Sequence, residues 1–186
     1  MFDEDNSTNI RVFVTGDCHG NFKKIELFCR YHRTSKADIM IILGDAGINY
    51  WLDKRDMKLK QKLALLPITI LCVTGNHEER SCNIPSYVIR EWHGGAVYVE
   101  KEFPNLLFAK DGEIYDLNGK KAIALGGAYS VDKEYRLSVG LPWFKDEQPS
   151  DEIKMYAEQR LNENNWRVDY VLSHTCPFKF IPTHLL

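Results

Sequence analysis

Asp17 and His19 flank a single residue in Gly16-Asp17-Cys18-His19-Gly20, and Asp45 follows Gly44. Asn76, His77 and Glu78 stand together after Gly75, and His174 follows Ser173. Carboxylate, imidazole and amide oxygen are ligand types that suit zinc, iron or manganese. On extended backbone Asp17 and His19, two positions apart, face the same side, and Gly16 and Gly20 permit a tight turn around them. A carboxylate at the centre of a two-cation cluster can bridge both ions, and Asp45 is the candidate for that place. Asn76 offers a neutral oxygen. His77 could protonate a leaving group, and Glu78 could orient its imidazole as carboxylates orient catalytic histidines. Each motif alone has a plainer reading: a charged turn at 17–19, a turn at Gly44-Asp45, a helix N-cap at Asn76, a structural His174.

Their placement argues for the chemical reading. Each motif ends an apolar, β-branched run, at residues 10–15, 38–43, 68–73 and 168–172, and such runs predict strands. Between the first three lie helical periodicities. Phe22, Ile25, Phe28 and Cys29 mark one over 21–31, and a second covers 53–66, ahead of Pro67. The β-α-β-α-β order predicts a parallel sheet, whose ligands gather at the carboxyl ends of the strands. Short runs at 96–100, 106–109, 113–117 and 121–125 follow, broken by Pro104, Asp111-Gly112 and Asn118-Gly119, which predicts antiparallel pairing with a hairpin at Asn-Gly. Residues 126–149 read as irregular. A helix is expected over 151–164, capped by Ser150, with Ile153, Tyr156, Ala157 and Leu161 inward. The fold expected is one α/β domain spanning residues 1–186, with two sheets face to face and helices packed outside.

The 186 residues suffice for a sizeable core, and 24 Lys and Arg against 26 Asp and Glu give a net charge of −2. That balance offers no strong signal for nucleic acid or an anionic membrane. Five cysteines without a Cys-x-x-Cys pair read as free thiols in a reducing compartment. The polar, acidic N-terminus is unlike a signal peptide, and no apolar run is long enough to cross a bilayer. The expected location is cytoplasmic.

Gly-Asp-x-His-Gly, Gly-Asp, Gly-Asn-His-Glu and an apolar strand ending in His, in this order, resemble the calcineurin-like metallophosphoesterase superfamily. The resemblance covers about residues 10–175. It implies a four-layer α/β-β/α sandwich with two divalent metal ions (Mn, Fe or Zn) and hydrolysis of a phosphomonoester or phosphodiester by a metal-bridging hydroxide. It further implies that Asp17, His19 and Asp45 hold one metal, that Asp45, Asn76 and His174 hold the other, and that His77 donates the proton to the leaving alkoxide. Two departures stand out. Residues 44–51 lack the Gly-Asp-x-x-Asp-Arg-Gly pattern of the Ser/Thr protein phosphatases, and Thr74 stands where that branch has Arg. The closing Gly-His-x-His motif is missing too. This leaves three protein ligands per metal and predicts a C-terminally incomplete domain lacking its last strand or strands, with a sheet edge open to self-association. His184 is the candidate substitute. The rival expectation is a shortened, catalytically weak or silent chain acting as a binding module.

Outside the motifs, Tyr129 and Arg136 lie in the glycine-led segment after residue 125 and could overhang the site. There Arg136 could grip a phosphate bidentately. Trp51 and the Trp143-Phe144 pair read as core packing rather than as an aromatic wall, and Cys18 as a packing residue. His32 reads as solvated and His93 as a loop residue. The charged run 53–62 reads as an exposed helix face.

Overall fold

The structure, a computed structural model, describes residues 10–176 and 179. Alternation along the central strands creates the core. β1 (Val12–Thr15), α1 (Lys23–His32), β2 (Ile39–Leu43), α2 (Lys54–Ala64) and β3 (Thr69–Val73) open the chain. Met40, Ile42, Ile70 and Cys72 point to one face of the sheet and pack with Ile25, Cys29 and Leu63 of the two helices. Ile39, Ile41, Leu71 and Val73 point to the other face. Strands buried on both sides need this continuous apolar sequence.

The chain then runs antiparallel through β4 (Tyr87–Trp92), β5 (Gly95–Glu100) and β6 (Leu106–Ala109). β6 returns beside β3 in parallel. The result is one mixed sheet of six strands in the order β1-β2-β3-β6-β5-β4. β7 (Ile114–Leu117), β8 (Lys120–Leu125) and β9 (Tyr170–Ser173) form a second, three-stranded mixed sheet, with the Asn118-Gly119 turn between β7 and β8. Tyr115, Leu117, Ala122, Ala124 and Leu172 of this sheet meet Leu71, Val97, Val99 and Leu107 of the first. Two mixed sheets therefore lie face to face, as expected. α3 (Lys133–Ser138) and α4 (Asp151–Glu163) complete the chain. α4 starts at Ser150, whose hydroxyl accepts from Ile153 N–H, and Tyr156 donates to Glu113 at 2.6 Å. Of its expected inward residues only Ala157 is fully buried.

Several expectations change. β4 and α3 carry no clear pattern in sequence: four of the six β4 residues are exposed at the sheet margin, and α3 is a six-residue helix inside a loop. The charged face of α2 is partly buried. Asp56 accepts from the backbone N–H groups of Trp51 and Leu52, and Lys60 pairs with Glu100 at 2.7 Å beneath Tyr87. Residues 56 and 60 share a helix face, so both turn inward together. Trp51 is partly exposed and lies under the Arg55 guanidinium, so it is not a core residue. Phe144 is buried, as expected. Cys18 packs against the helix-side core, and burial raises its thiol to about 11. His32 is exposed, and His93 occupies the β4–β5 turn. β9 has a single strand neighbour among the described residues, and Tyr170 and Val171 are exposed on it. His184 lies outside the described residues. No helix among the described residues is long and apolar enough to cross a membrane.

Candidate metal centre

β1, β2, β3 and β9 deliver the four motifs to one end of the sandwich, and backbone contacts fix them there. The Asp45 carbonyl accepts from Cys18 N–H at 3.1 Å and His19 N–H at 2.8 Å, which ties the loop after β1 to the loop after β2. Asp45 and His19 both adopt left-handed backbone, with φ of 48° and 45°. Asp and His tolerate this conformation better than most residues, though each costs about 1–3 kcal/mol. The neighbouring glycines permit the close approach. A Cβ on Gly44 would collide with the His174 ring, and one on Gly75 with the Asp45 carboxylate.

Asp45 is the hub. Its Oδ1 lies 3.6 Å from His174 Nε2, and its Oδ2 lies 3.9 Å from His19 Nε2 and 3.4 Å from His77 Nδ1. Asp17 reaches His19 Nε2 and His174 Nδ1 at 3.8 Å each. Asn76 Oδ1 lies 2.9 Å from His174 Nε2. The five expected ligands, Asp17, His19, Asp45, Asn76 and His174, are thus brought together. Atoms sharing a cation at metal–ligand distances of about 2.1 Å stand about 3–3.5 Å apart, so this spacing suits bound metal.

The proton inventory points the same way. His174 Nδ1 lies 2.8 Å from the Leu43 carbonyl, which can only accept. A neutral ring with its proton there presents an Nε2 lone pair to two further oxygens, Asn76 Oδ1 and Asp45 Oδ1. Asp45 is 3% exposed, and its ion-pair partners among the described residues are histidines alone. Lone pairs converging on a buried carboxylate, with too few protons between them, fit a cation. On distance alone His77 belongs to the same group: ligand atoms of His19, Asp45 and His77 lie within 4.8 Å of one another.

Glu78 does not meet His77. Its Oε1 accepts from Gly75 N–H at 2.8 Å, and burial raises the carboxyl to about 8. Glu78 therefore braces the loop, while Asp45 is the carboxylate facing His77 Nδ1. The reason lies in alternation, since adjacent residues leave the backbone in different directions. His77 Nε2 faces Arg136, whose NH1 stands 3.3 Å away, and Asp132 Oδ1 at 3.8 Å. Burial lowers the His77 pKa, opposed by Asp45 and reinforced by Arg136.

Arg136 is buried beside the site, and its two-nitrogen edge is engaged. NH2 donates to Tyr50 Oη at 2.8 Å, NH1 meets His77, and Nε donates to the Pro142 carbonyl. A bidentate grip on phosphate needs those contacts to be given up. His19, Gly47, Tyr50, Trp51, Leu59, His77 and Arg136 line a cavity of about 310 Å³. Tyr129 is exposed and does not line it. Tyr50, Asp132 and Ser130, whose hydroxyl accepts from Asn76 Nδ2 at 2.8 Å, were not legible as site residues. They come from loops without periodicity, and only their nearness to the four motifs marks them.

No curated protein and no solved structure matches the chain. A family model described as calcineurin-like phosphoesterase matches residues 10–181. That span contains every strand just described and all four loops that meet at Asp45, and on it the chain belongs to the calcineurin-like phosphoesterase family.

Proposed function

We propose that this protein is a metal-dependent hydrolase of phosphoric esters, cleaving a phosphomonoester or phosphodiester at the Asp45 cluster. The convergence of lone pairs from four strand-end loops on a buried carboxylate carries the reading. Asp17, His19 and Asp45 would hold one divalent cation, and Asp45, Asn76 and His174 a second. Bound there, such ions supply Lewis acidity, lowering the pKa of water and offsetting charge on a phosphate.

The chain's own residues supply the rest. Asp45 Oδ1 accepts from the His77 backbone N–H at 3.0 Å, which orients the carboxylate at the centre of the cluster. His77 Nε2 faces the cavity; once released by Arg136 and protonated, it is placed to pass that proton to a leaving oxygen. With NH1 also donating to Asp132 Oδ2 at 3.5 Å, Arg136 keeps one guanidinium N–H for an ester oxygen, and more if it turns from His77. Trp51, Tyr50 and Leu59 make one wall of the cavity apolar, which suits an organic leaving group.

The test is metal reconstitution of the full chain with Mn, Fe or Zn, followed by metal analysis and assay with p-nitrophenyl phosphate and its bis-aryl diester. Metal uptake at Asp45 with chelator-sensitive hydrolysis is expected. Absence of uptake, or uptake unaffected by Asp45→Asn, would sink the reading. Uptake without hydrolysis of either ester would favour the binding module.

A further inference from the structure

Asn76 is the one amide among the five ligands. Its amide presents oxygen or nitrogen depending on a half-turn, and only the oxygen can meet a cation. A chain of hydrogen bonds from the segment between β8 and α4 settles that choice. Trp143 Nε1–H donates to Glu147 Oε2 at 2.9 Å, and Ser130 N–H donates to Glu147 Oε1 at 3.1 Å. Indole and backbone N–H groups can only donate and a carboxylate can only accept, so both Glu147 oxygens are acceptors here. The Ser130 hydroxyl, 2.5 Å from Glu147 Oε2, therefore gives its single proton to Glu147. What it presents to Asn76 is a lone pair. Only the amide nitrogen can face that lone pair, and Asn76 Nδ2 does so at 2.8 Å. The oxygen must then point the other way, toward His174 Nε2 at 2.9 Å. Ser130 is 1% exposed and Glu147 5% exposed, so water does not compete for these bonds.

We propose that Ser130 and Glu147 are positioning residues, which hold Asn76 with its oxygen toward the cations. The inference rests on the metal reading above. It gives the segment 126–149 a second role beside presenting Arg136. Partners that orient metal ligands are commonly worth about 10–100-fold in metal affinity.

The experiment is a cycle of four full-length proteins, the native sequence, Ser130→Ala, Asn76→Asp and the double variant, each titrated with Mn(II) by calorimetry. A carboxylate carries oxygen at both ends and needs no orientation. Ser130→Ala should weaken Mn(II) binding by about 10–100-fold beside Asn76, and should not weaken it in the Asn76→Asp background. Equal weakening in both backgrounds would mean that Ser130 acts through packing alone and overturns the proposal, as does no weakening in either. If Mn(II) is not taken up, Fe(II) and Zn(II) are titrated in its place; uptake of none of the three ends the metal reading and this inference with it, while native uptake with an insensitive Ser130→Ala removes only the inference. Thermal melts check that each variant folds. Should Ser130→Ala not fold, Glu147→Leu tests the same chain. With no carboxylate to accept its proton, the Ser130 hydroxyl turns it on Asn76 and rotates the amide. The expected loss is again at least about tenfold beside Asn76 and none beside Asp at that position, and any other pattern overturns the proposal.

Discussion

His77 is the residue whose role distance alone leaves divided. Nδ1 stands 3.4 Å from Asp45, close enough to count among the ligands, while Nε2 meets Arg136 at the cavity. A guanidinium only donates, so Nε2 holds a lone pair in this arrangement and Nδ1 carries the proton toward Asp45. Acting as an acid requires Arg136 to turn from His77 to the ester and Nε2 to become protonated. Replacing His77 with Ala should lower turnover by about 10²–10⁴-fold while Mn content stays near the native level. Turnover and metal content falling together would make His77 a ligand instead. At this scale the sequence was most informative. Asp17, His19, Asp45, Asn76 and His174 are recognisable as candidate ligands because ligand chemistry is restricted to few residue types. Ser130, Glu147 and Tyr50 are common in any loop, and nothing in their spacing distinguishes them.

At the scale of elements, the loops after β1, β2, β3 and β9 are as constrained as the side chains they carry. Gly44 shows this best. Its φ is 89°, and a Cβ there would strike the His174 ring. Gly94, in the β4–β5 turn, has a similar φ of 80°, but a Cβ there would meet nothing within 4 Å. Gly94→Ala should therefore cost only the backbone strain, about 1–2 kcal/mol. Gly44→Ala adds the collision, so it should cost about 2–4 kcal/mol and displace His174 from the cluster. Urea melts with parallel Mn(II) titrations compare the two; equal losses with metal binding intact would show that His174 yields freely. The strands themselves were legible because burial on both faces demands unbroken apolar runs. β4 and α3 were not, since a sheet margin and a six-residue helix bury too little to impose a period.

At the scale of the whole molecule, stability resides in the two apolar layers on either side of the six-stranded sheet, with ion pairs closing its edges. Arg11 donates to both Asp38 oxygens, at 2.7 and 2.8 Å, and Ser35 N–H adds a third bond at 2.7 Å. The Arg11 hydrogen bonds hold the Asp38 carboxyl down at about 2. A depressed carboxyl contributes stability above the ordinary carboxylate range and loses it as pH falls through the folded value. Native protein should therefore be more resistant to urea than Asp38→Asn at pH 7, and the gap should close between about pH 4 and 2. Arg11 is largely exposed, so added salt should narrow the gap at neutral pH. A gap independent of pH would assign the effect to packing.

The amino-acid sequence by itself determined which residues carry metal-ligand chemistry, which runs become buried strands and, through the order of its motifs, the family. These follow from residue chemistry and from the period with which apolar side chains recur, both local properties. The tertiary structure decided what those residues face. It put Asp45 rather than Glu78 against His77, engaged the Arg136 edge with Tyr50 and His77, turned Asp56 and Lys60 inward, and brought Ser130 and Glu147 behind Asn76. Each of these depends on the direction in which a side chain leaves a loop or on a partner dozens of residues away. Only closure of the two sheets, which carries β9 and the segment before it to the ends of β1, β2 and β3, fixes such relations.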